Sequence, residues 1–349
     1  MSLGVTLVGR ALSLFGVLIV VLLMLVVTLG ATGFSDRILG AIVNEEMRGI
    51  REGLAQTIRN PDELEQVLNT QREEREKLYG LDKKWHQRLP DMLWRLMVLD
   101  LGEARTLRSF DGSPKVTTIV LERLPYTMVL ITSASIITAV AGLAIGVKLA
   151  TKVGSKFDRI VSYMSAISYA LPAWWTGILF ILIFAFQLRI LPAGGIHSTP
   201  PPEQGLLRLI DLIYHAILPI ITLVLVSLGA WIYTVRTMVL NTSQEFFVTV
   251  ARAKGLPERT VTLKYILRVA APPIVTNLVL GLAASLGGAI LTETVFNWPG
   301  MGRLYYDAIL AADEAVIVAL TFIFALLYVT ARFVLEVLYL ILDPRIRYS

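Results

Sequence analysis

The residues of this chain whose types could carry chemistry are few and far apart. His86, His197 and His215 are its three histidines, and they fall in three separate segments with no metal-ligand spacing between them. There is no cysteine, which excludes disulfides, thiol nucleophiles and Cys-ligated metals. Gly4 and Gly9 have the spacing of a phosphate-binding loop, but Arg10 and Ala11 stand where its lysine and hydroxyl residue belong. Neither a Gly-x-Ser-x-Gly elbow nor a His-Glu-x-x-His pair occurs. What remains are polar and aromatic residues within or beside apolar runs. Glu293 ends one such run and is followed by a turn through Trp298, Pro299 and Gly300. A carboxylate at that depth avoids lipid. It therefore reads either as a helix-end cap or ion pair, or as part of a pathway and its outer gate, with Trp298 beside it. Trp174 and Trp175 follow Pro172 and read as packing residues or as a stacking surface for a solute. Arg332 and Glu336 have the i,i+4 spacing of a helical pair.

The elements that must position these residues are apolar and long. Of 349 residues 55% are hydrophobic and only 17% charged, against about a quarter charged in soluble domains. The charges are also segregated: residues 34–115 hold 15 of the 27 acidic and 14 of the 32 basic residues. A bilayer-spanning helix needs about 20 apolar residues. Runs of that kind occur at Ala11–Ser35, Leu124–Val147, Ile160–Leu188, Leu212–Val235 and Val269–Thr292, with a last one from Ala315 to Leu342 that contains Arg332 and Glu336. The first run exceeds a signal-peptide h-region and lacks a clear small-x-small cleavage site, so it reads as a retained helix. A soluble core of six such runs would have no polar surface left to cover it. The expectation is an all-α integral membrane protein with about six transmembrane helices. Gly142 and Gly146 permit close helix approach and could serve a subunit contact.

Lysine and arginine give the orientation. Arg10, then Lys148, Lys152, Lys156 and Arg159, then Arg236, Arg252, Lys254, Arg259, Lys264 and Arg268, and finally Arg345 and Arg347 fall on one side. The alternate short loops carry only Arg189, Arg208 and Arg303. The positive-inside rule then places both termini in the cytoplasm and residues 34–115 outside. The net charge of +5 has the same origin and is no argument for nucleic acid. The outside segment has helical signals of its own. Leu39, Val43, Met47, Ile50, Leu54 and Ile58 form one stripe, Asn60 and Pro61 read as an N-cap and N1 proline, and Gly80 as the stop near Tyr79. It reads as a small helical cap or as a docking surface for an external partner.

The loop 236–273 has the clearest local signals. Gln244–Lys254 is a helix candidate with Phe247, Val250 and Ala251 on one side. Gly255 suits a left-handed C-cap and Pro257 the first turn of the next helix. The result is a helix–turn–helix at the membrane surface, which basic residues alone would also anchor to anionic lipid. The stretch from Ala251 to Leu256 (ARAKGL), followed by Pro272 and Pro273, resembles the EAA loop of binding-protein-dependent ABC importer permeases, and most of all their dipeptide/oligopeptide branch. Leu99 to Glu103 (LDLGE), Glu122 to Pro125 (ERLP), Glu293 to Leu304 (ETVFNWPGMGRL) and Leu342 to Tyr348 (LDPRIRY) agree in order and spacing, from about residue 78 to the end. The general family has a glutamate where Thr249 stands, and Glu245 is the nearest acidic substitute. Residues 34–77 are longer than the resemblance accounts for.

The resemblance implies a non-catalytic permease subunit of an ATP-driven importer in a prokaryotic cytoplasmic (inner) membrane. Residues 1–35 would be the N-terminal segment and first helix, 36–115 the extracytoplasmic helical segment, and 116–349 a five-helix permease core with coupling loop 241–270. The implied partners are a second homologous permease subunit, two cytoplasmic ATPases that bind ATP and Mg, and an extracytoplasmic substrate-binding protein. This chain would hold no cofactor. Glu245, Phe247, Ala251, Arg252, Lys254, Gly255, Leu256 and Pro257 would contact the ATPase; Glu293, Trp298, Trp174 and Trp175 would serve the pathway or outer gate. The cargo would be a di- or oligopeptide or similar small solute, with oligosaccharide or metal as the alternative. A secondary transporter would instead show inverted repeats and midplane charges, and none stands out here.

The cysteine-free chain makes the topology directly testable. A single Thr70→Cys variant in intact spheroplasts should react strongly with a membrane-impermeant maleimide, and Pro257→Cys should react only after permeabilisation. The reverse pattern would invert the topology.

Overall fold

The structure, a computed structural model, describes residues 3–203 and 205–342. The closing stretch from Asp343, with Arg345 and Arg347, lies outside them. In chain order the helices are α1 (Leu3–Ala31), α2 (Phe34–Leu54), α3 (Pro61–Leu78), α4 (Trp85–Met97), α5 (Val116–Thr151), α6 (Lys156–Ala170), α7 (Ala173–Phe180, continued by a π-helical turn Ile181–Gln187) and α8 (Leu206–Ser243). They continue with α9 (Phe246–Ala253), α10 (Glu258–Thr260, extended by π-helical Val261–Ile266), α11 (Leu267–Gly288), α12 (Ile290–Val295), α13 (Met301–Leu310) and α14 (Glu314–Leu342). Among the described residues, the only β pairing is an isolated bridge between Glu103 and Lys115. The fold is all-α, as the apolar runs predict.

Among the described residues, five helices are long and apolar enough to cross a bilayer: Val8–Thr28, Val116–Thr151, Leu206–Ser243, Glu258–Gly281 and Glu314–Leu338. The third apolar run supplies the sixth span only as a bent pair, because α6 and α7 meet at 99°. The cause is local. Proline lacks an N–H and disfavours the helical conformation of the residue before it. Leu171 accordingly adopts φ −85°, ψ 122°, and Pro172 caps α7.

The chain forms two compact units, one of residues 1–14, 120–307 and 326–349, the other of 15–119 and 308–325. In the first, α6 lies directly against α8. Gly229 permits this, since a Cβ there would stand 2.3 Å from the Ser165 carbonyl oxygen. The Ser168 hydroxyl donates across the same contact to the Leu225 carbonyl. The small residues of α5 face α8 in the same way: Gly142 meets the Trp231 ring and Gly146 meets Val235. The close approach expected of this glycine pair is therefore used within the chain, which leaves no need for a subunit contact to explain it. At one end of the α6–α8 pair, Asp158 takes a forked bond from Arg236, 3.0 Å from Nε and 3.1 Å from Nη2, plus the Gly154 N–H at 2.9 Å. Such two-pronged carboxylate–guanidinium contacts fix orientation as well as distance.

In the second unit, Leu39 and Val43 of α2 are buried, as the stripe predicts, and Asn60 caps α3 by accepting from the Asp62 N–H at 3.1 Å. Gly80 follows with φ +68°. The Tyr79 hydroxyl donates to Glu46, which also pairs with Arg75 at 3.3 Å; the hydrogen bond to Glu46 raises the Tyr79 phenol above its ordinary value. Helix α4, with Pro90 inside it, has no counterpart in the sequence expectation. Asp313 organises the stretch before α5: one carboxylate oxygen accepts the N–H groups of Arg105 and Thr106 at 2.8 and 2.9 Å and the Thr106 hydroxyl at 3.1 Å.

The α6–α8 contact yields the first structural prediction. Gly229→Ala forces a methyl against a backbone carbonyl, and overpacking of this kind costs about 1–3 kcal/mol. The variant should unfold several degrees below wild type in a thermal ramp in detergent. An unchanged midpoint would mean that the helices do not approach as described.

Candidate functional site

The segment between α8 and α11 folds as the helix–turn–helix read from its residues. Helix α8 ends at Ser243, Gln244 and Glu245 turn the chain, and α9 runs from Phe246 to Ala253 with Glu245 as its N-cap. Gly255 takes φ +72°, a conformation that glycine adopts without strain. Pro257 is the N-cap of α10 rather than its first residue.

The inward face of α9 differs from the expected one. Val248 and Ala251, not Phe247 and Val250, are buried, at 0% and 2% exposure. They pack with Val235 and Val239 of α8, Val261 and Ile266 beyond α10, and Ala270 and Ile274 of α11. Leu256 adds to this core from the turn. Ala251 is thus turned into the segment's own core rather than outward, and Leu256 is partly buried against the same core. Glu245, Phe247, Arg252, Lys254, Gly255 and Pro257 remain exposed. Phe246, not singled out from the sequence, is the most prominent of the outward residues at 80% exposure. Its signal was present as the Phe246–Phe247 doublet, where a short helix can bury only one side. Arg252 also has a partner that spacing did not reveal. Its Nη2 lies 2.7 Å from Glu258 Oε1 across the Gly255 turn. The hydrogen bond to Glu258 raises the Arg252 guanidinium above its ordinary range. Both side chains are about half exposed, so the pair holds the turn's shape more than it adds stability.

The second group of candidate residues surrounds the turn 293–304. Glu293 is fully buried, and its partners are not cations. One oxygen accepts from the Thr127 hydroxyl at 2.7 Å, the other from the Arg303 N–H at 3.0 Å. Thr127 in turn accepts the Met301 N–H at 2.7 Å. Gly300 is required beside it, since a Cβ there would lie 2.3 Å from the carboxylate. Trp298 is likewise fully buried, donating from Nε1 to the Tyr126 carbonyl at 3.0 Å, with the Tyr126 ring edge-on at 6.2 Å. Neither residue offers a surface to a solute in this conformation. Both hold the turn in this structure, and neutral donors rather than a cation pair with Glu293. Trp174 and Trp175 lie at the start of α7, each 42% exposed. His197 and His215 converge on Asp211, at 3.1 and 3.4 Å, while Ser198 donates to it from Oγ at 2.7 Å. Among the described residues there is no group of three or more side chains suited to a metal ion.

Known proteins match this architecture. Residues 142–348 match the family described as "Binding-protein-dependent transport system inner membrane component". The chain belongs to that family, and it is a multi-pass inner-membrane permease subunit. Within the family its relatives include the oligopeptide transport system permease protein AppB of Bacillus subtilis, 30% identical over 81% of this chain and 87% of that protein. The di/tripeptide transport system permease protein DppB of Pseudomonas aeruginosa is 34% identical over 77% of this chain and 83% of that one. Among solved structures, the inward-facing MetNI methionine ABC transporter has a chain that superposes with a TM-score of 0.52. It covers 66% of this chain and 99% of that one at 16% identity, a likeness of fold.

The hydroxyl–carboxylate relay makes the second structural prediction. Thr127→Val removes the hydroxyl that pairs both Met301 N–H and Glu293, and each buried polar group left unpaired costs about 1–3 kcal/mol. The variant should lose several degrees of thermal stability in detergent, whereas Thr127→Ser should stay near wild type. Equal stability of the valine and serine variants would rule out the relay.

Proposed function

We propose that this chain is one of two permease subunits of an ATP-driven importer for di- and oligopeptides or similar small solutes, and that it forms half of the translocation pathway. The observation that carries the cargo class is that the relatives matching more than three-quarters of this chain are oligopeptide and di/tripeptide permeases. The proposed topology has both termini and the 241–270 segment in the cytoplasm. Two ATPases hold the ATP and magnesium, a second permease completes the pathway, and an extracytoplasmic binding protein delivers the cargo. Residues 36–115, ahead of the 116–349 permease core, offer that protein a docking surface. Trp174 and Trp175 remain proposed pathway residues.

The geometry of α9 and α10 supports docking of an ATPase. Phe246 and Phe247 are exposed at the start of α9, and Arg252, Lys254 and Gly255 at its other end, while Val248 and Ala251 hold the helix from within. Exposed aromatic pairs rimmed by charge are the usual anchors of a helix-in-groove contact. A push on this face passes into α8 and α11 through packed side chains.

The test uses the open space around Gly255, where a Cβ would meet nothing within 4 Å. Gly255→Arg costs the fold only the strain of a positive φ, about 1 kcal/mol. The chain should therefore insert and pair with its partner permease. The ATPases should be lost from the purified complex, or their activity should stop responding to cargo-loaded binding protein. Phe246→Asp should act in the same direction. Retention of both ATPases and of wild-type transport in the two variants would show that coupling lies elsewhere.

A further inference from the structure

Asp158 is the only acidic residue between Glu122 and Glu203, and Arg236 the only lysine or arginine between Arg208 and Arg252. They lie 78 positions apart, yet meet as the forked pair at 3.0 and 3.1 Å. Cations nearer in sequence are engaged elsewhere: Lys148 sits over the Phe157 ring at 4.8 Å, and Arg159 donates to the Gly154 carbonyl at 3.4 Å. The pair is withdrawn from water, with the Asp158 side chain 7% and the Arg236 side chain 20% exposed.

The contacts of α6 with α8 follow one antiparallel register. Asp158 meets Arg236, Ser165 meets Gly229, and Ser168 meets Leu225 and Val226. This seam runs about 15 Å along α6, from Asp158 to Ser168. At its Ser168 end the Gly229 N–H donates to the serine hydroxyl at 3.3 Å, and the bend at Leu171 and Pro172 follows at once, with Trp174 and Trp175 beyond it. At its other end, Val235 and Val239 flank Arg236 on α8 and pack against Val248 and Ala251 of α9. The clamp therefore stands where the seam comes nearest to the surface segment.

A buried ion pair adds little stability over an apolar pair of the same volume, because desolvation offsets the attraction. What the fork adds is a fixed orientation of one helix on the other. We propose that Asp158 and Arg236 are positioning residues for transport: the clamp stays closed through the cycle and carries a displacement of α9, received by α8, into α6 and so to the bend at Pro172. This rests on the reading of α9 as the ATPase contact and adds the joint by which its movement reaches the bent span.

The test uses the assembled importer, purified with its partner permease and ATPases and reconstituted in proteoliposomes with the binding protein. The readouts are uptake of a radiolabelled mixture of di-, tri- and tetra-alanine and the ATP hydrolysed per peptide imported. Asp158→Asn keeps an acceptor for the Gly154 N–H but loses the charge. It should retain both ATPases and their hydrolysis while the ATP used per peptide rises about tenfold or more, the equivalent of one lost charge-assisted hydrogen bond. Arg236→Lys, which keeps the charge without the fork, should fall between Asp158→Asn and wild type. A merely structural role would lower thermal stability and leave this ratio unchanged. In the cysteine-free chain, Asp158→Cys with Arg236→Cys should be uncoupled, and bridging the two with a short bismaleimide should restore uptake. A wild-type ratio in Asp158→Asn overturns the proposal, and so does a bridged pair that does not import, since the clamp would then have to open. Should Asp158→Asn fail to assemble, a wild-type ratio in Arg236→Lys overturns it instead. If Gly255→Arg and Phe246→Asp leave the ratio unchanged, the coupling reading falls and the clamp's role with it, whereas an unchanged ratio in Asp158→Asn alone removes only the clamp.

Discussion

In hydrocarbon a backbone N–H or C=O without a partner costs several kcal/mol, so a spanning chain is free to leave the helix only where other groups replace the lost bonds. The breaks in this structure follow that constraint. Between α6 and α7 the helix stops at Pro172, whose carbonyl is taken up by the Thr176 N–H and hydroxyl, both at 3.0 Å. In the turn after α12 the Trp298 N–H donates to the Glu293 carbonyl and the Phe296 carbonyl accepts the Gly195 N–H, while the Glu293 side chain and Thr127 accept the N–H groups of Arg303 and Met301. A carboxylate buried among neutral donors is an expensive device. Its use here fits a turn that has to keep one shape while the chain reverses, and Gly300 leaves room for it.

Features decided within a few residues were legible before any coordinates. The Asn60 cap, the Gly80 stop and the Gly255 turn each follow from local sterics and hydrogen bonding and stand where the spacing put them, and the α2 stripe holds to Leu54, where the helix ends before Ile58. Features decided by a distant partner were not. The position of Pro172 announces a distortion but not a bend of 99°. A small-residue pair such as Gly142 and Gly146 does not say whether its neighbour is another subunit or, as here, Trp231 and Val235 of the same chain.

Burial on a short helix is the hardest case. Eight residues of α9 leave two turns to choose which face turns inward, and both faces carry apolar side chains. Periodicity favoured Phe247, Val250 and Ala251, whereas the small, well-fitting Val248 and Ala251 went in and the phenylalanines stayed out. The choice follows from volume, because the space beside Val235 and Val239 takes branched and small side chains at close-packed density. Helix α4 escaped notice for a related reason: Pro90, its sixth residue, interrupts the pattern and removes one intrahelical hydrogen bond, yet the helix continues to Met97.

The same packing connects the surface segment to the long helices. Helix α8 is continuous from Leu206 to Ser243 and carries the clamp residue Arg236. Its last turns rest on Val248 and Ala251 of α9. A helix in a close-packed interior moves as a body, and packed interfaces change between discrete arrangements rather than deform gradually. Displacing α9 therefore cannot leave α8 in place, and Asp158 ties α6 to the same motion through Arg236.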